Sequence, residues 1–224
     1  RKGLGSLALQ KIERPGQPIR EFTSIESIAA FIQTLDFSAP ADAPLSAFTQ
    51  ATRIDMSATA GKALDVLATV GNELQHYRGF GRHNPRTNQH EVNGQKALQK
   101  FKDDHDNVLA ATQGVRLQQL PRRAVFGLPH NYFFSSTGGK LDITAEDEGR
   151  RASPLLIHIH PLQDAKFVAI QTLLWGIFLP DDMAVEAKGK NKYAIADTQV
   201  DFTHITRYLD GFANKKTLKA PHHG

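Results

Sequence analysis

Consecutive cations stand beside small residues at Arg1-Lys2-Gly3-Leu4-Gly5-Ser6 and again at Gly149-Arg150-Arg151-Ala152-Ser153-Pro154. Each stretch leads into an apolar run, Leu7-Ala8-Leu9 and Leu155-Leu156-Ile157. Glycine admits positive φ and lets a ligand approach the backbone closely. Successive free N–H groups in such a turn form a concavity for anions. Neighbouring Arg and Lys add charge matched to phosphate. Two such segments suit a protein that follows a nucleic-acid backbone; the plainer reading of each is a glycine turn before a strand.

Arg122-Arg123 precede a bend at Phe126-Gly127-Leu128-Pro129. Adjacent residues of a strand face opposite ways. One arginine is therefore expected to pair with a carboxylate while the other faces a ligand, and the same holds for Arg150-Arg151. After the bend come His130, Asn131 and Tyr132. Histidine and tyrosine can act as general base and acid in metal-independent RNA cleavage. They can also stack on or hydrogen-bond to unpaired bases, or simply line a polar loop. Residues 78–95 hold Arg78, Arg82, Arg86, His83 and His90 among Gly, Asn and Pro, and read as an exposed loop. With Phe80, Tyr132 and Phe133 they can supply the charge and stacking surfaces that hold single-stranded RNA.

Two further constellations carry less. His158 and His160 at i and i+2 of a strand share a face, a spacing that suits a metal pair, but only Asp164 is close in sequence as a further ligand. No metal or other cofactor is expected. In Asp103-Asp104-His105-Asp106 the histidine falls on an apolar helical stripe with Phe101 and Val108, and is expected to be buried and hydrogen-bonded.

These residues sit in a chain of 224 residues that is 40% apolar with a net charge of +4, long enough for one large domain or somewhat more. There is no cysteine, so disulfides, thiolate metal sites and a cysteine nucleophile are excluded. The longest apolar run, Thr172 to Pro180, is too short to span a bilayer, and a cytoplasmic location is expected. There is no Walker loop, no dinucleotide fingerprint and no Gly-x-Ser-x-Gly elbow.

The elements expected to position these groups alternate between strand and helix. Residues 6–12 read as a strand. Thr23-Ser24-Ile25-Glu26 opens a helix with Ile25, Ile28, Ala29, Ile32 and Leu35 on one face. A second helix is expected over 58–77 and a third from Lys96 to Gly114. Val125 to Pro129, Tyr132 to Phe134, Leu155 to Ile159 and Phe167 to Phe178 read as strands, with a turn at Thr137-Gly138-Gly139-Lys140. A last helix carries Phe202, Ile205, Tyr208, Leu209 and Phe212, followed by a frayed basic tail. Strands mixed with separate helices argue for an α+β fold.

Arg1-Lys2-Gly3-Leu4-Gly5-Ser6-Leu7, Phe126-Gly127-Leu128-Pro129, Arg150-Arg151-Ala152-Ser153-Pro154-Leu155 and Phe178-Leu179-Pro180 together resemble the RAMP superfamily of CRISPR proteins. More narrowly, they resemble the family of the first-named RAMP subunit of the type III-B (Cmr) RNA-guided effector complex. The resemblance implies a ferredoxin-like, RRM-like fold, often in tandem, and a role in antiviral defence. It implies a non-catalytic subunit that contacts the 3′ part of the guide RNA and the 5′ part of the target RNA beside other RAMP subunits, with no membrane association. The RNA-binding residues it implies are Arg1, Lys2, Gly3, Gly5, Ser6, Arg150 and Arg151; Arg122, Arg123 and His130 are added here from charge and position beside the FGLP segment. The glycine-rich loop of the family lies near the end of a first ferredoxin-like unit, whereas here it opens the chain. Most of that unit is therefore expected to lie outside this sequence. Residues 1–12 would be its loop and strand, 13–115 a mostly helical inserted region, and 116–224 a ferredoxin-like RAMP region. The alternative is a metal-independent RAMP endoribonuclease that processes guide-RNA precursors.

Overall fold

A computed structural model describes residues 9–44, 47–146 and 150–221. In chain order the elements are β1 (Lys11–Ile12), β2 (Arg20–Glu21), α1 (Ile25–Ile32), β3 (Arg53–Ala60), α2 (Ala63–Arg78), β4 (Arg82–Asn84), β5 (Gln89–Val92), β6 (Gln95–Lys96) and α3 (Lys102–Thr112). A 3₁₀ helix (Arg122–Phe126) follows, then β7 (His130–Phe134), β8 (Gly139–Ala145), β9 (Leu155–Pro161), β10 (Phe167–Leu173), β11 (Val185–Lys188), β12 (Lys192–Ala194), α4 (Thr203–Asp210) and β13 (Lys216–Lys219). The fold is α+β, and its strands pair antiparallel.

The chain divides into two compact units. The first holds the described residues up to Asn72, Leu155–Gly176, and those from Tyr208 onward. Its four-stranded sheet has the order β13-β3-β10-β9. Taken along the chain, β3, the part of α2 up to Asn72, β9, β10, the part of α4 from Tyr208 and β13 make a β-α-β-β-α-β succession. Val66 and Val70 of α2 are fully buried and pack with Ala169, Ile157, Ile159 and Phe167 of the sheet. The face presenting Ile54 and Ile170 is covered instead by Phe22 and by Ile28 and Ile32 of α1. Helix α1 starts where the sequence indicates. The Ser24 hydroxyl accepts from the Ser27 N–H at 3.1 Å, and the Ser27 hydroxyl accepts from the Ser24 N–H at 3.2 Å. This reciprocal pair satisfies two N–H groups that a helix start leaves open.

The polar side of β3 is buried because it is paired internally. Arg53, 7% exposed, bonds to Asp55 through Nε at 2.9 Å and to Asp210 of α4 through Nη2 at 2.8 Å. Gln171 donates to the Ser57 hydroxyl at 2.7 Å. Ala58 takes a left-handed φ of 49° where the register with β10 slips, the extra residue of a bulge.

The second unit comprises Glu73–Pro154 and Ile177–Arg207. A four-stranded sheet of order β12-β11-β8-β7 carries the core, with Val108 and Ala111 of α3 packed beside Leu141, Ile143 and Val185. A small sheet, β4-β5-β6, stands apart from it in pairing.

Several expectations are corrected here. Residues 78–95 are not a loop: they form β4 and β5, and β6 begins at Gln95 across a tight turn at Asn93 (φ 51°) and Gly94 (φ 76°). Two successive positive φ values are what a two-residue hairpin turn requires, and Asn-Gly is the pair that supplies them most readily. Lys96 lies in β6, so the third helix starts at Lys102. The helix expected over 58–77 is Ala63–Arg78, and residues 58–60 end β3. Val125 and Phe126 lie in the 3₁₀ helix rather than a strand. The strand expected from Phe167 to Phe178 is β10 and ends at Leu173. The basic tail is not frayed at Lys216–Lys219, which pair with β3. The region 13–115, expected to be mostly helical, contains β3 and the small sheet beside its three helices.

Candidate nucleic-acid interface

In the second unit, the end of α2, strands β4 and β7, helix α3 and the 3₁₀ helix line a cleft of about 1000 Å³. Alternation along β7 sorts its side chains: His130, Tyr132 and Phe134 are buried, while Asn131 and Phe133 are exposed. Phe133 is 64% exposed at the cleft margin, opposite Lys140 of β8, whose ammonium sits 5.7 Å from the ring centroid. On another wall Phe80 stacks on the His105 imidazole with centroids 3.5 Å apart and planes within 4°. His105 donates or accepts at Nδ1 with Asp106 at 3.0 Å and is half-buried, not enclosed in the core as its stripe position suggests.

The cleft is cationic. Arg82 is exposed on β4, and Arg78 and Arg123 lie deeper. The Arg123 guanidinium lies 4.9 Å from the Tyr132 centroid and donates to the Arg78 carbonyl at 3.4 Å; the Arg78 guanidinium lies 4.8 Å from the Phe126 centroid. Among the described residues neither has a carboxylate partner within ion-pair distance. Burial, and then the charge of Arg123, push Arg78 down to about 10. Asp104 is the one carboxylate lining the cleft, and it is engaged: it accepts from the backbone N–H of Arg122 at 3.1 Å and of Arg123 at 2.8 Å. These bonds hold the start of the 3₁₀ helix and so aim Arg123.

The two arginines of the 122–123 pair do separate, although on a 3₁₀ helix and not a strand. Arg122 pairs outward with Asp103 at 2.7 Å, and Arg123 turns into the cleft. Arg150 is exposed, whereas the Arg151 guanidinium donates to the carbonyls of Ile177, at 3.0 Å, and Phe178. Leu128 and Arg151 exchange both backbone hydrogen bonds, at 2.8 and 3.0 Å. Gly127 (φ 110°) lies so close to this segment that an added Cβ would stand 3.0 Å from the Arg151 carbonyl. Three segments far apart in sequence, FGLP, RRASP and FLP, therefore meet at Arg151. Its role is to tie them together.

His130 is buried, with Nδ1 at 3.3 Å from the Tyr132 hydroxyl. Burial, then the charges of Arg123 and Arg78, hold it down to about 3, with the Gly127 carbonyl acting weakly the other way. It is a neutral imidazole at any ordinary pH. Arg1, Lys2, Gly3, Gly5 and Ser6 lie outside the described residues, as does Gly149. In the first unit, His158 Nε2 and His160 Nδ1 are 3.2 Å apart, and His160 Nε2 donates to the Phe22 carbonyl at 2.6 Å. Among the described residues no three His, Asp or Glu side chains cluster as metal ligands, and no helix is long and apolar enough to cross a membrane.

Sequence reasoning selected Arg78, Arg82, Phe80, Arg123, Tyr132 and Phe133, and these meet at one cleft. It missed Ser135 and Ser136, which also line it; polar residues of a turn carry no spacing signal that separates lining from ordinary surface. No protein-family model, no curated protein and no solved structure matches the chain.

Proposed function

We propose that this chain is an RNA-binding RAMP protein. Within that class, its FGLP and RRASPL segments favour a non-catalytic subunit of a type III-B CRISPR (Cmr) effector, acting in the cytoplasm beside other RAMP subunits on guide RNA and target RNA. The observation that carries the reading is the cleft, where Arg78, Arg82 and Arg123 stand beside exposed or stacked rings at Phe133 and Phe80. Backbone charge and ring faces together are what single-stranded RNA requires.

The first unit adds support. A β-α-β-β-α-β succession whose strands stand last, first, third, second is the order of a ferredoxin-like unit. RRM proteins read bases on the open face of such a sheet. Here α1 covers that face, which leaves the cleft of the second unit as the better RNA surface. A binding role also accords with His130, since a buried imidazole of pKa about 3 is poorly suited to take a proton from a ribose hydroxyl.

The test is a titration of the purified chain with labelled single-stranded RNA across a salt series in EDTA, each sample also run on a denaturing gel. Affinity should fall by about 0.7 log unit per phosphate neutralised for each tenfold rise in salt, with the RNA intact. Phe133→Ala should weaken binding by about tenfold or more through lost stacking. Absence of binding at low salt defeats the proposal, and cleavage that disappears in His130→Ala moves the reading to a guide-processing nuclease.

A further inference from the structure

In the cleft, Arg78 and Arg123 form a like-charge pair with no carboxylate within ion-pair distance among the described residues. Their Nε atoms are both buried without a hydrogen-bond partner. Each guanidinium rests on a ring, Phe126 or Tyr132, so both planes are fixed. The nearest carboxylate in the lining, Asp104, is engaged by backbone N–H groups. Two neighbouring half-buried cations left without a carboxylate are unfavourable, and a doubly charged anion offsets both. Guanidinium forks match phosphate oxygens two at a time. A phosphodiester carries one negative charge, whereas a phosphomonoester carries about −1.5 to −2 at neutral pH. Ser135 and Ser136 lie exposed in the same lining, with hydroxyls free to point at further oxygens.

The geometry points to a phosphomonoester site: Arg78 and Arg123 take the terminal phosphate of a nucleotide. For the source of that nucleotide, the end of an RNA strand, the inference rests on the RNA-binding reading above. It differs from that reading in predicting that strand ends are distinguished from strand interiors.

The experiment compares one RNA sequence made with a 5′-phosphate, a 3′-phosphate, or hydroxyls at both ends. One phosphate-ended strand should bind about tenfold more tightly than the hydroxyl-ended one. Arg78→Lys and Arg123→Lys, which keep charge but lose the fork, should each erase the difference. Equal affinity for all three strands, or a preference that survives both substitutions, overturns the inference. In parallel, thermal unfolding of the unaltered chain is followed with nucleoside 5′-monophosphate and with the bare nucleoside. A rise in Tm with the monophosphate alone supports the site even where no RNA binds, and assigns it to free nucleotides. That outcome would separate failure of the RNA reading from failure of the site. Where no RNA binds, no rise with the monophosphate removes it as well.

Discussion

Arg53 and Asp55 stand two residues apart on β3, and the Asp55 side chain is 1% exposed. Truncating the cation would strand a buried carboxylate, so Arg53→Met should destabilise the chain by about 3 kcal/mol in urea unfolding. Arg53→Met combined with Asp55→Leu should recover most of that loss, because no charge is then left unpaired. His130 makes the opposite kind of demand. Its folded pKa lies near 3, below the unfolded value of about 6.5. Between those values the unfolded chain binds the extra proton, so stability rises with pH through the window and is lost on acidification from about pH 6.5 downward. From pH 7 to pH 5 the loss should be about 2 kcal/mol, and His130→Gln should flatten that part of a stability–pH profile. A profile unchanged by the substitution would refute the assignment.

At the scale of elements, α1 has a clear dependence on one residue. Ser24→Ala removes the acceptor for the Ser27 N–H and should cost about 1 kcal/mol. Hydrogen exchange should show faster exchange in the first turn of α1, while α2 is unchanged. This helix was readable in the sequence because its cap and its apolar spacing agree. The last helix was readable from its apolar spacing alone, with Ile205 and Leu209 fully or almost fully buried. Strand β3 was not, since Arg53, Asp55 and Ser57 mark its second face as solvent-exposed. That face is enclosed only because Asp210 and Gln171 arrive from distant segments, which no local pattern reveals. The hairpin of β5 and β6 was readable in principle: Val92-Asn93-Gly94-Gln95 is its turn, but the polar strands around it lack an apolar face. Of the cleft, the types of residue were readable and their convergence was not. The arginines and rings lie on five elements, and the buried destination of His130 depends on the alternation of β7 once its neighbours are known.

Across the whole molecule, the second unit is encoded by two insertions within the first. Strand β3 therefore finds β13 only across nearly the whole described chain. Such long-range pairing carries a large closure cost before any contact offsets it. Trp175, the sole tryptophan, belongs to the first unit and reports on it. In stopped-flow refolding its fluorescence should recover on the millisecond-to-second scale or slower, after most far-UV signal has returned. Simultaneous recovery of the two signals would argue that the first unit forms no later than the rest.

The order of synthesis gives that nesting a direction. A ribosome releases residues from the amino terminus onward, and domains can fold as they emerge. The second unit draws its residues from no further than Arg207, and the residues that line its cleft end at Ser136, so that lining is synthesised well before the lysine-bearing strand that closes the first sheet. Until Lys216–Lys219 emerge, the nascent chain carries β3 with one edge uncovered, an adhesive border that invites another strand. The interval between finishing the inner unit and sealing the outer one is when this chain is most exposed to mispairing.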